Sequence, residues 1–250
     1  MNVFRIAADL FHLLALIILI VKLVYTKSSK GISGRSQLLF TFVYSTRYAD
    51  LFLGFVFISY YNTIMKILFL STTYITLILI FYVHRRTYEV LNDIYFTEPL
   101  LMTAFICSYT LGPPFDISEL LWRFSIVLEA VAIVPQMVMI YRSRQIQKMV
   151  MYYLIALGLY RTLYIANWVW RYHEENHLDF ISVCAGVFYS MVYVAFLCIF
   201  IVSGVKIVEE KNEGHFVRNI FFIHQLDTAS ETLIHDEIDV EKDVNGIEKV

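Results

Sequence analysis

The chain is poor in charged residues, which make up only 17% of its 250 residues. A soluble domain usually carries about 25% charged residues and about 45–50% apolar ones. Here 58% of the residues are hydrophobic and 16% are aromatic. A surplus of apolar side chains on this scale requires an apolar solvent, and the lipid bilayer is the obvious one.

The sequence also lacks the motifs of the common enzyme classes. It has no glycine-rich phosphate loop, no dinucleotide fingerprint, no hydrolase or kinase signature and no zinc-ligand spacing. Its three cysteines, Cys107, Cys184 and Cys198, all fall in apolar segments, so we interpret them as small buried side chains and not as disulfides or metal ligands. We therefore expect no enzymatic activity, no cofactor, no metal and no nucleic-acid partner.

Long apolar runs predict seven membrane-spanning helices, because a helix needs about 20 residues to cross ~30 Å of hydrocarbon. The run over residues 13–23 is interrupted only by Lys22, which we expect to extend to the membrane surface. The first run carries no sign of a cleavable signal peptide, so we expect it to remain as the first span. The predicted spans are residues 3–24, 36–58, 62–83, 98–111, 119–141, 150–171 and 178–207.

Basic residues concentrate in alternate loops and predict the orientation in the membrane. The loops after the first, third and fifth spans hold eight lysines and arginines, whereas the other loops hold none. Since positively charged loops stay in the cytoplasm, the N-terminus is expected in the lumen and the C-terminus in the cytoplasm. We predict a seven-helix domain over residues 1–208 and an acidic, largely disordered cytoplasmic tail over residues 209–250, which hold eleven acidic residues against four basic ones.

Several ionisable residues lie inside the predicted spans, where their cost favours an internal, functional location. Four arginines lie at graded depths from the luminal side and predict a polar funnel that opens to the lumen. They are Arg5, Arg47, Arg161 and Arg171. Because a guanidinium group matches a carboxylate, this funnel predicts a ligand with several carboxylates.

Other residues of the funnel suit a cation on the same ligand. Asp50 and Glu119 would bind the cation, and Trp122, one turn after Glu119, would cover its alkyl stem. The alternative interpretation is that the charged side chains pair with one another, since Arg5 with Asp9 and Arg47 with Asp50 are within local reach. His12 ordinarily titrates near neutral pH, so it is either a pH-sensing group or a hydrogen-bonded core residue.

Six motifs, in order along the chain, carry a close resemblance to a known family. They are residues 1–14 (MNVFRIAADLFHLL), 31–37 (GISGRSQ), 47–52 (RYADLF), 61–63 (YNT), 128–136 (LEAVAIVPQ) and 156–173 (ALGLYRTLYIANWVWRYH). Over about residues 1–207 the chain resembles the KDEL receptors. The resemblance implies an all-α fold of seven transmembrane helices, similar to the SWEET and PQ-loop transporters, with two three-helix bundles joined by the fourth helix.

The resemblance implies a function as well. Receptors of this family bind the C-terminal KDEL or HDEL tetrapeptide of escaped luminal proteins and return these proteins from the Golgi to the endoplasmic reticulum by retrograde transport. It implies a multi-pass protein of the endoplasmic reticulum and cis-Golgi membranes, contacting lipid and, on the cytoplasmic side, the coatomer coat. Protonation of His12 would favour binding in the slightly acidic Golgi.

Roles for single residues follow from the same resemblance. Arg47 with Tyr48 would bind the terminal carboxylate, and Arg5, Arg161 and Arg171 would bind the acidic side chains of the signal. The first residue of the signal would be held by Asp50, Glu119 and Trp122, while Tyr164, Asn167 and Trp168 complete the ligand site. A proton-sensing lock would consist of His12, Glu129 and Tyr160.

The chain departs from the family at two places. The family has an acidic residue in the seventh helix where this chain has Ala195, and a short lysine-rich end where this chain has its acidic tail. Ligand capture is therefore better supported than coat recruitment. Three alternatives remain open: a receptor with tail signals of its own, a paralogue that binds without cycling, or a different class altogether, either a SWEET-type solute transporter or a membrane acyl or glycosyl transferase.

Overall fold

A computed structural model describes residues 2–53, 59–93, 97–111, 116–176 and 180–209, so the predicted tail beyond residue 209 lies outside the described residues. Within these ranges the chain forms nine α-helices and two short strands. The helices are α1 (Val3–Thr26), α2 (Gly34–Arg47), α3 (Asp50–Leu53), α4 (Tyr60–Ile78), α5 (Glu98–Thr110), α6 (Ile117–Val131), α7 (Val134–Ser143), α8 (Lys148–Glu175) and α9 (Phe180–Val202). A π-helical turn (Leu79–Val83) extends α4, a 3-10 turn (Arg85–Thr87) follows it, and strands β1 (Gln145–Gln147) and β2 (Lys206–Val208) pair in parallel.

These elements correspond to the seven predicted spans. The spans are formed in order by α1, α2 with α3, α4 with its π-helical turn, α5, α6 with α7, α8 and α9. Among the described residues five of them are long and apolar enough to cross a membrane, while α2 and α5 have 14 and 13 residues. The chain is therefore an all-α membrane protein with several spans, which confirms the predicted fold class.

The first span shows the inverted polarity of a membrane helix. Its exposed face carries Leu10, Leu14, Ile17 and Val21, whereas its buried face carries polar side chains, among them His12. These positions recur every three or four residues, so each set lies on one side of the helix. The apolar face suits lipid, and the polar face is directed into the protein.

The helices form two groups of three. The third span contacts both the first and the second, and the seventh span contacts both the fifth and the sixth. The two groups meet where α1 runs along α8 and α2 runs along α6, and α5 packs against α6. This arrangement agrees with two three-helix bundles joined by the fourth span.

The second span is broken, although a continuous helix was predicted over residues 36–58. Helix α2 ends at Arg47, Tyr48 caps it by donating its N–H to the Tyr44 carbonyl at 3.0 Å, and α3 begins at Asp50. Neither proline nor glycine marks this break. Non-helical backbone at membrane depth is tolerated where it lines a polar cavity, and Arg47 and Tyr48 both line one.

The fifth span, predicted as one helix over residues 119–141, is also broken. Proline has no N–H and crowds the carbonyl four residues earlier, and α6 ends at Val131, four residues before Pro135. The neighbouring Gln136 fixes the break against the start of the second span. Its side chain accepts from the Ser33 N–H at 2.7 Å and donates to the Gly31 carbonyl at 3.0 Å.

The seventh span is shorter than predicted, and the two cysteines on it are not buried. It ends at Val202, and Gly204, with φ of 59°, turns the chain into strand β2 instead of continuing the helix to residue 207. Glycine adopts such a left-handed backbone without steric cost. Cys184 and Cys198 are exposed on α9 and Cys107 is half-buried, because thiols are apolar enough for the lipid-facing surface.

Lys22 does not extend to the surface as predicted, but closes the end of the bundle that carries the basic loops. Its side chain is fully buried, and Nζ donates to the carbonyls of Ser28 at 2.9 Å and Lys30 at 2.6 Å. Ser29 Oγ donates to the carbonyl of His84 at 3.0 Å and so links this loop to the end of the third span. Burial, and then the charges of Lys22 and Lys27, lower the pKa of His84 below 6.5.

Buried Asp93 holds the same end together. Its carboxylate accepts from Ser33 Oγ at 2.8 Å, from the Tyr88 hydroxyl at 2.6 Å and from the Arg35 N–H at 3.1 Å. Burial, followed by the hydrogen bond to Asp93, raises the pKa of Tyr88 well above its usual value of 10. The loops after the first and third spans are thus fastened to each other by side chains.

Candidate functional site

A cavity of about 560 Å³ lies between the two bundles. Arg5, Trp122 and Arg171 line it near the helix ends, and His12 and Glu129 line it further inside. The end of the bundle with these outer residues is opposite to the end closed by Lys22 and Asp93. Twelve of the predicted site residues line the cavity: Arg5, His12, Arg47, Tyr48, Trp122, Glu129, Tyr160, Arg161, Tyr164, Asn167, Trp168 and Arg171.

The two remaining predicted residues, Asp50 and Glu119, are not among those that line the cavity. Asp50 forms an ion pair with Lys66, which does line it, and the Lys66 ammonium stands 6.0 Å from the centre of the Tyr48 ring. Lys66 was not predicted as a site residue. Its one signal was a cation inside an otherwise apolar span.

Glu119 is exposed in the first turn of α6, and Trp122 follows one turn later. Helix α6 is capped at its start by Asp116, which accepts from the N–H and the hydroxyl of Ser118, both at 2.9 Å. These hydrogen bonds lower the pKa of Asp116 below 3.8. A carboxylate at this position also complements the positive end of the helix dipole, so the cap fixes where Trp122 enters the cavity.

Glu129 is the central anion of the cavity. Its Oε2 lies 2.6 Å from Nη2 of Arg47 and 2.6 Å from Nη2 of Arg161, and its Oε1 accepts from the Tyr160 hydroxyl at 2.8 Å. These partners come from the second and sixth spans and Glu129 comes from the fifth. A single buried carboxylate thus bridges two guanidinium groups and reduces their mutual repulsion, and the three groups together keep a net charge of +1.

Arg47 reaches Glu129 because the second span breaks beside it. Its Nε donates to Ser125 Oγ at 3.1 Å, and Ser125 Oγ donates to the Trp122 carbonyl at 2.6 Å. Tyr48, the next residue, occupies the break itself. The broken helix therefore places an arginine and a tyrosine side by side in the cavity wall.

Arg161 is held between two aromatic rings. Its guanidinium carbon lies 5.2 Å from the centre of the Tyr160 ring and 4.6 Å from that of Tyr189. Both distances are within the range of a cation–π contact, which is stronger when the cation is desolvated. Tyr189 on α9 was not predicted, since a tyrosine in an apolar span gives no sequence signal for such a role.

His12 lies in an aromatic cage at the inner end of the cavity. Its ring stacks on Tyr160 with centres 4.4 Å apart and on Phe69 with centres 4.6 Å apart. Its Nε2 is 2.6 Å from the Tyr44 hydroxyl. His12 is thus connected through Tyr160 to Glu129 and so to both arginines.

The local ion pairs of the alternative interpretation are not formed among the described residues. Asp9 accepts hydrogen bonds from the hydroxyls of Tyr61 and Tyr164, while Arg5 Nη2 donates to Asn62 Oδ1 at 3.1 Å. Asp50 pairs with Lys66 and not with Arg47. Arg5 therefore lines the cavity with its charge and donates to a neutral side-chain amide.

The remaining predicted residues lie along α8. Trp168 packs over Gly186 of α9, where an added Cβ would stand 2.3 Å from the indole ring. Arg171 is more exposed, and its Nε pairs with Glu175 Oε2 at 2.8 Å. In the part of the chain that the structure describes, no three histidine, cysteine, aspartate or glutamate side chains are placed to hold a metal ion.

Comparison with known proteins gives a consistent family. The family model described as ER lumen protein retaining receptor matches residues 28–171. The ER lumen protein-retaining receptor 3 of Xenopus tropicalis is 48% identical over 206 residues, which cover 82% of this chain and 95% of that protein. Over the same length the ER lumen protein-retaining receptor of Drosophila melanogaster is 44% identical and receptor 2 of Homo sapiens is 43% identical, with 82% of this chain and 96% of each relative covered.

These relatives are named as receptors, so the solute-transporter alternative is not favoured. The match covers 95% of the Xenopus tropicalis relative and 82% of this chain. The family resemblance of the sequence motifs is confirmed. The chain belongs to the ER lumen protein-retaining receptor family.

Proposed function

We propose that this protein is a pH-dependent receptor for C-terminal KDEL- or HDEL-type signals and that it returns escaped luminal proteins from the Golgi to the endoplasmic reticulum. The observation that carries the proposal is the convergence of four arginines from three spans on one cavity. A peptide that ends in Asp-Glu-Leu carries three carboxylates, two on side chains and one at its terminus. Arginine forks match such groups with paired hydrogen bonds.

The site is prepared for an incoming carboxylate. Glu129 now holds Arg47 and Arg161 through a single oxygen, 2.6 Å from each. A ligand carboxylate placed between the same guanidinium groups would share this role with Glu129. Binding therefore needs no new buried cation, and the arginines are already oriented by Ser125, Tyr160 and Tyr189.

The family resemblance supports a division of roles among the residues of the cavity. Arg47 with Tyr48 binds the terminal carboxylate, and Arg5, Arg161 and Arg171 bind the acidic side chains. Asp50, Glu119 and Trp122 hold the first residue of the signal. Tyr164, Asn167 and Trp168 complete the wall of the site, and His12, Glu129 and Tyr160 form the proton-sensing lock. Because Asp50 already pairs with Lys66, a lysine at the first position of the signal would displace that ammonium group.

The pH dependence is assigned to His12. The groups that face it are the Tyr44 hydroxyl on α2, the Phe69 ring on α4 and Tyr160 on α8, with Glu129, Arg47 and Arg161 beyond them. Protonation adds a positive charge to a cavity that binds anions, so ligand binding and proton uptake favour each other. Affinity then rises as the pH falls, which loads the receptor in the acidic Golgi and empties it in the neutral reticulum.

The cellular part of the proposal concerns orientation and partners. The excess of basic residues in the loops at the closed end supports a cytoplasmic location for that end and a luminal location for the N-terminus and the cavity. Retrograde transport would require coatomer to bind the cytoplasmic face. Ala195 and the acidic end of this chain favour tail signals of its own for this step.

Peptide binding tests the receptor function directly. The full chain in nanodiscs should bind a peptide ending in Lys-Asp-Glu-Leu at least tenfold more tightly than its C-terminal amide, and more tightly at pH 5.5 than at pH 7.4. His12→Ala should remove the difference between the two pH values, whereas Arg86→Gln in an exposed loop should behave like the unaltered protein. Equal affinity for the peptide acid and its amide would refute capture of a C-terminal carboxylate. Solute flux in proteoliposomes would support the solute-transporter alternative instead.

A further inference from the structure

Asp9 is a buried anion beside a cavity that is otherwise equipped to bind anions. Its residue is only 5% exposed, and it lies on the face of α1 that carries Arg5 and His12. Both of its oxygens are occupied. Oδ2 accepts from the Tyr61 hydroxyl at 2.9 Å, and Oδ1 accepts from the Tyr164 hydroxyl.

These hydrogen bonds fix the polarity of Tyr164. A tyrosine hydroxyl has one proton to donate and two lone pairs, and an ionised carboxylate can only accept. Tyr164 therefore gives its single proton to Asp9. Tyr164 lines the cavity, and toward a ligand its hydroxyl oxygen can act only as an acceptor.

A second acceptor lies one helical turn away on the same face of α8. Asn167 is 4% exposed and lines the cavity, and within the described part of the chain its Oδ1 has no hydrogen-bond partner. A buried polar atom without a partner is costly, so such an atom in a binding cavity points to a ligand. Both acceptors belong to the sixth span, which thus offers acceptors as well as arginines.

A peptide presents two kinds of group that such a wall can distinguish. Its carboxylates need donors, which the arginines supply, and its backbone N–H groups need acceptors once they leave water. We propose that Asp9 is a positioning residue that fixes Tyr164 as the acceptor for a backbone N–H of the bound peptide. This inference rests on the proposed receptor function and adds to it a contact that reads the peptide backbone.

The proposal is tested with peptides in which single N–H groups are removed. In peptides ending in Lys-Asp-Glu-Leu, each of the last three amides is replaced in turn by an ester, and binding to the full chain in nanodiscs is measured. One of the three esters should bind about three- to tenfold more weakly than the parent peptide, as expected for one hydrogen bond. In Tyr164→Phe the same ester should bind as well as the parent peptide does.

Asp9 is tested with two variants. In Asp9→Asn the amide nitrogen can donate to Tyr164, which frees the tyrosine proton, so the ester penalty should fall below about twofold. Asp9→Glu keeps a carboxylate and should retain the penalty in part. Tyr152→Phe, on an exposed position of α8, is the matched control and should show the full penalty.

The possible failures are distinguishable. If the unaltered protein does not bind the parent peptide, the receptor function itself is refuted. If the parent binds but all three esters show the same penalties in Tyr164→Phe as in the unaltered protein, the acceptor role of Tyr164 is refuted while the receptor function stands. An undiminished penalty in folded Asp9→Asn would remove Asp9 from the role.

Discussion

Glu129 is the single residue at the centre of the charge pairing in the cavity. One carboxylate forms ion pairs with both Arg47 and Arg161 and also accepts a hydrogen bond from Tyr160. In water such pairs contribute little, because solvent screens them. Inside a membrane protein the loss of one partner leaves charges buried without compensation.

The first prediction concerns Glu129→Gln. Two buried guanidinium groups would lose their anion, and breaking a buried ion pair typically costs about 3–5 kcal/mol. The melting temperature of the protein in detergent should fall by roughly 6–20 °C, given about 2–4 °C per kcal/mol for a chain of this size. A KDEL-type peptide should recover part of the loss by supplying a carboxylate.

Glu174→Gln is the control for this substitution, since Glu174 is exposed at the end of α8. It should leave the melting temperature unchanged. Equal stability of Glu129→Gln and the unaltered protein would show that the arginines do not depend on this carboxylate.

The second prediction separates the ring of Tyr189 from its hydroxyl. The ring lies 4.6 Å from the Arg161 guanidinium, while the hydroxyl has no hydrogen-bond partner among the described residues. Tyr189→Phe keeps the cation–π contact and should preserve stability. Tyr189→Leu loses it and should lower the free energy of unfolding by about 1–2 kcal/mol, measured by chemical denaturation in detergent. Similar losses in both variants would contradict the role of the ring.

At the scale of elements, two of the spans that surround the cavity are broken. The break after Arg47 brings the second span into the cavity wall, and the break before Pro135 ties the fifth span to the loop before α2. The close approach of α8 and α9 serves the same end. There the absence of a side chain at Gly186 leaves room for Trp168.

The third prediction tests this approach with Gly186→Ala. Helix propensity alone would favour alanine by about 1 kcal/mol. The added Cβ would meet Trp168 at 2.3 Å, so the indole must move. We expect a lower melting temperature and weaker peptide binding, with partial recovery in the double variant with Trp168→Phe. A gain in stability from Gly186→Ala alone would show that the indole yields freely.

The fourth prediction concerns acid and the closed end of the bundle. The pKa of His84 in the folded protein lies below 6.5 because of burial and the nearby lysines, so the folded state binds the proton more weakly than the unfolded state does. The stabilisation is therefore present above about pH 6.5 and is lost as the pH falls below it. The melting temperature should fall between pH 7.5 and pH 5.5 by less in His84→Asn than in the unaltered protein. Since His84 is partly exposed, the effect should be small, and an identical fall in both proteins would assign the acid sensitivity elsewhere.

At the scale of the whole molecule, composition and periodicity predict the fold class. They do not predict the helix breaks in the second and fifth spans. Apolar runs locate α1, α4, α8 and α9 to within a few residues, because hydrocarbon thickness sets their length. The break at Tyr48 has no glycine or proline to signal it, and the strand pair β1–β2 depends on a contact between distant segments. Pro135 lies inside the fifth span, which was predicted as one continuous helix over residues 119–141.

Some of the residues that line the cavity can be predicted from the sequence, but their partners cannot. Charged residues in apolar spans point inward on cost alone, so Arg5, Arg47, Arg161 and Arg171 are recognisable in the sequence. Their partners are not, because spacing suggested the pairs Arg5–Asp9 and Arg47–Asp50. The structure pairs Arg47 with Glu129 and Asp50 with Lys66, which are distant in sequence.

The fifth prediction tests the orientation of the molecule in the membrane. Single cysteines at exposed positions 118 and 86 lie at opposite ends of the bundle, near the cavity and in a basic loop. The two variants are made in a protein without its native cysteines and are studied in sealed microsomes. A membrane-impermeant thiol reagent added outside should label Arg86→Cys at once. Ser118→Cys should react only after the vesicles are opened. The reverse pattern would invert the proposed topology.

The contacts of Lys22 and Asp93 close one end of the bundle. The described structure therefore has a cavity and not a channel. In this conformation a ligand held between the arginines leaves by the path through which it entered, which suits capture and release. To move a bound peptide, the protein itself has to move with it. Release then requires the conditions at the opening of the cavity to change.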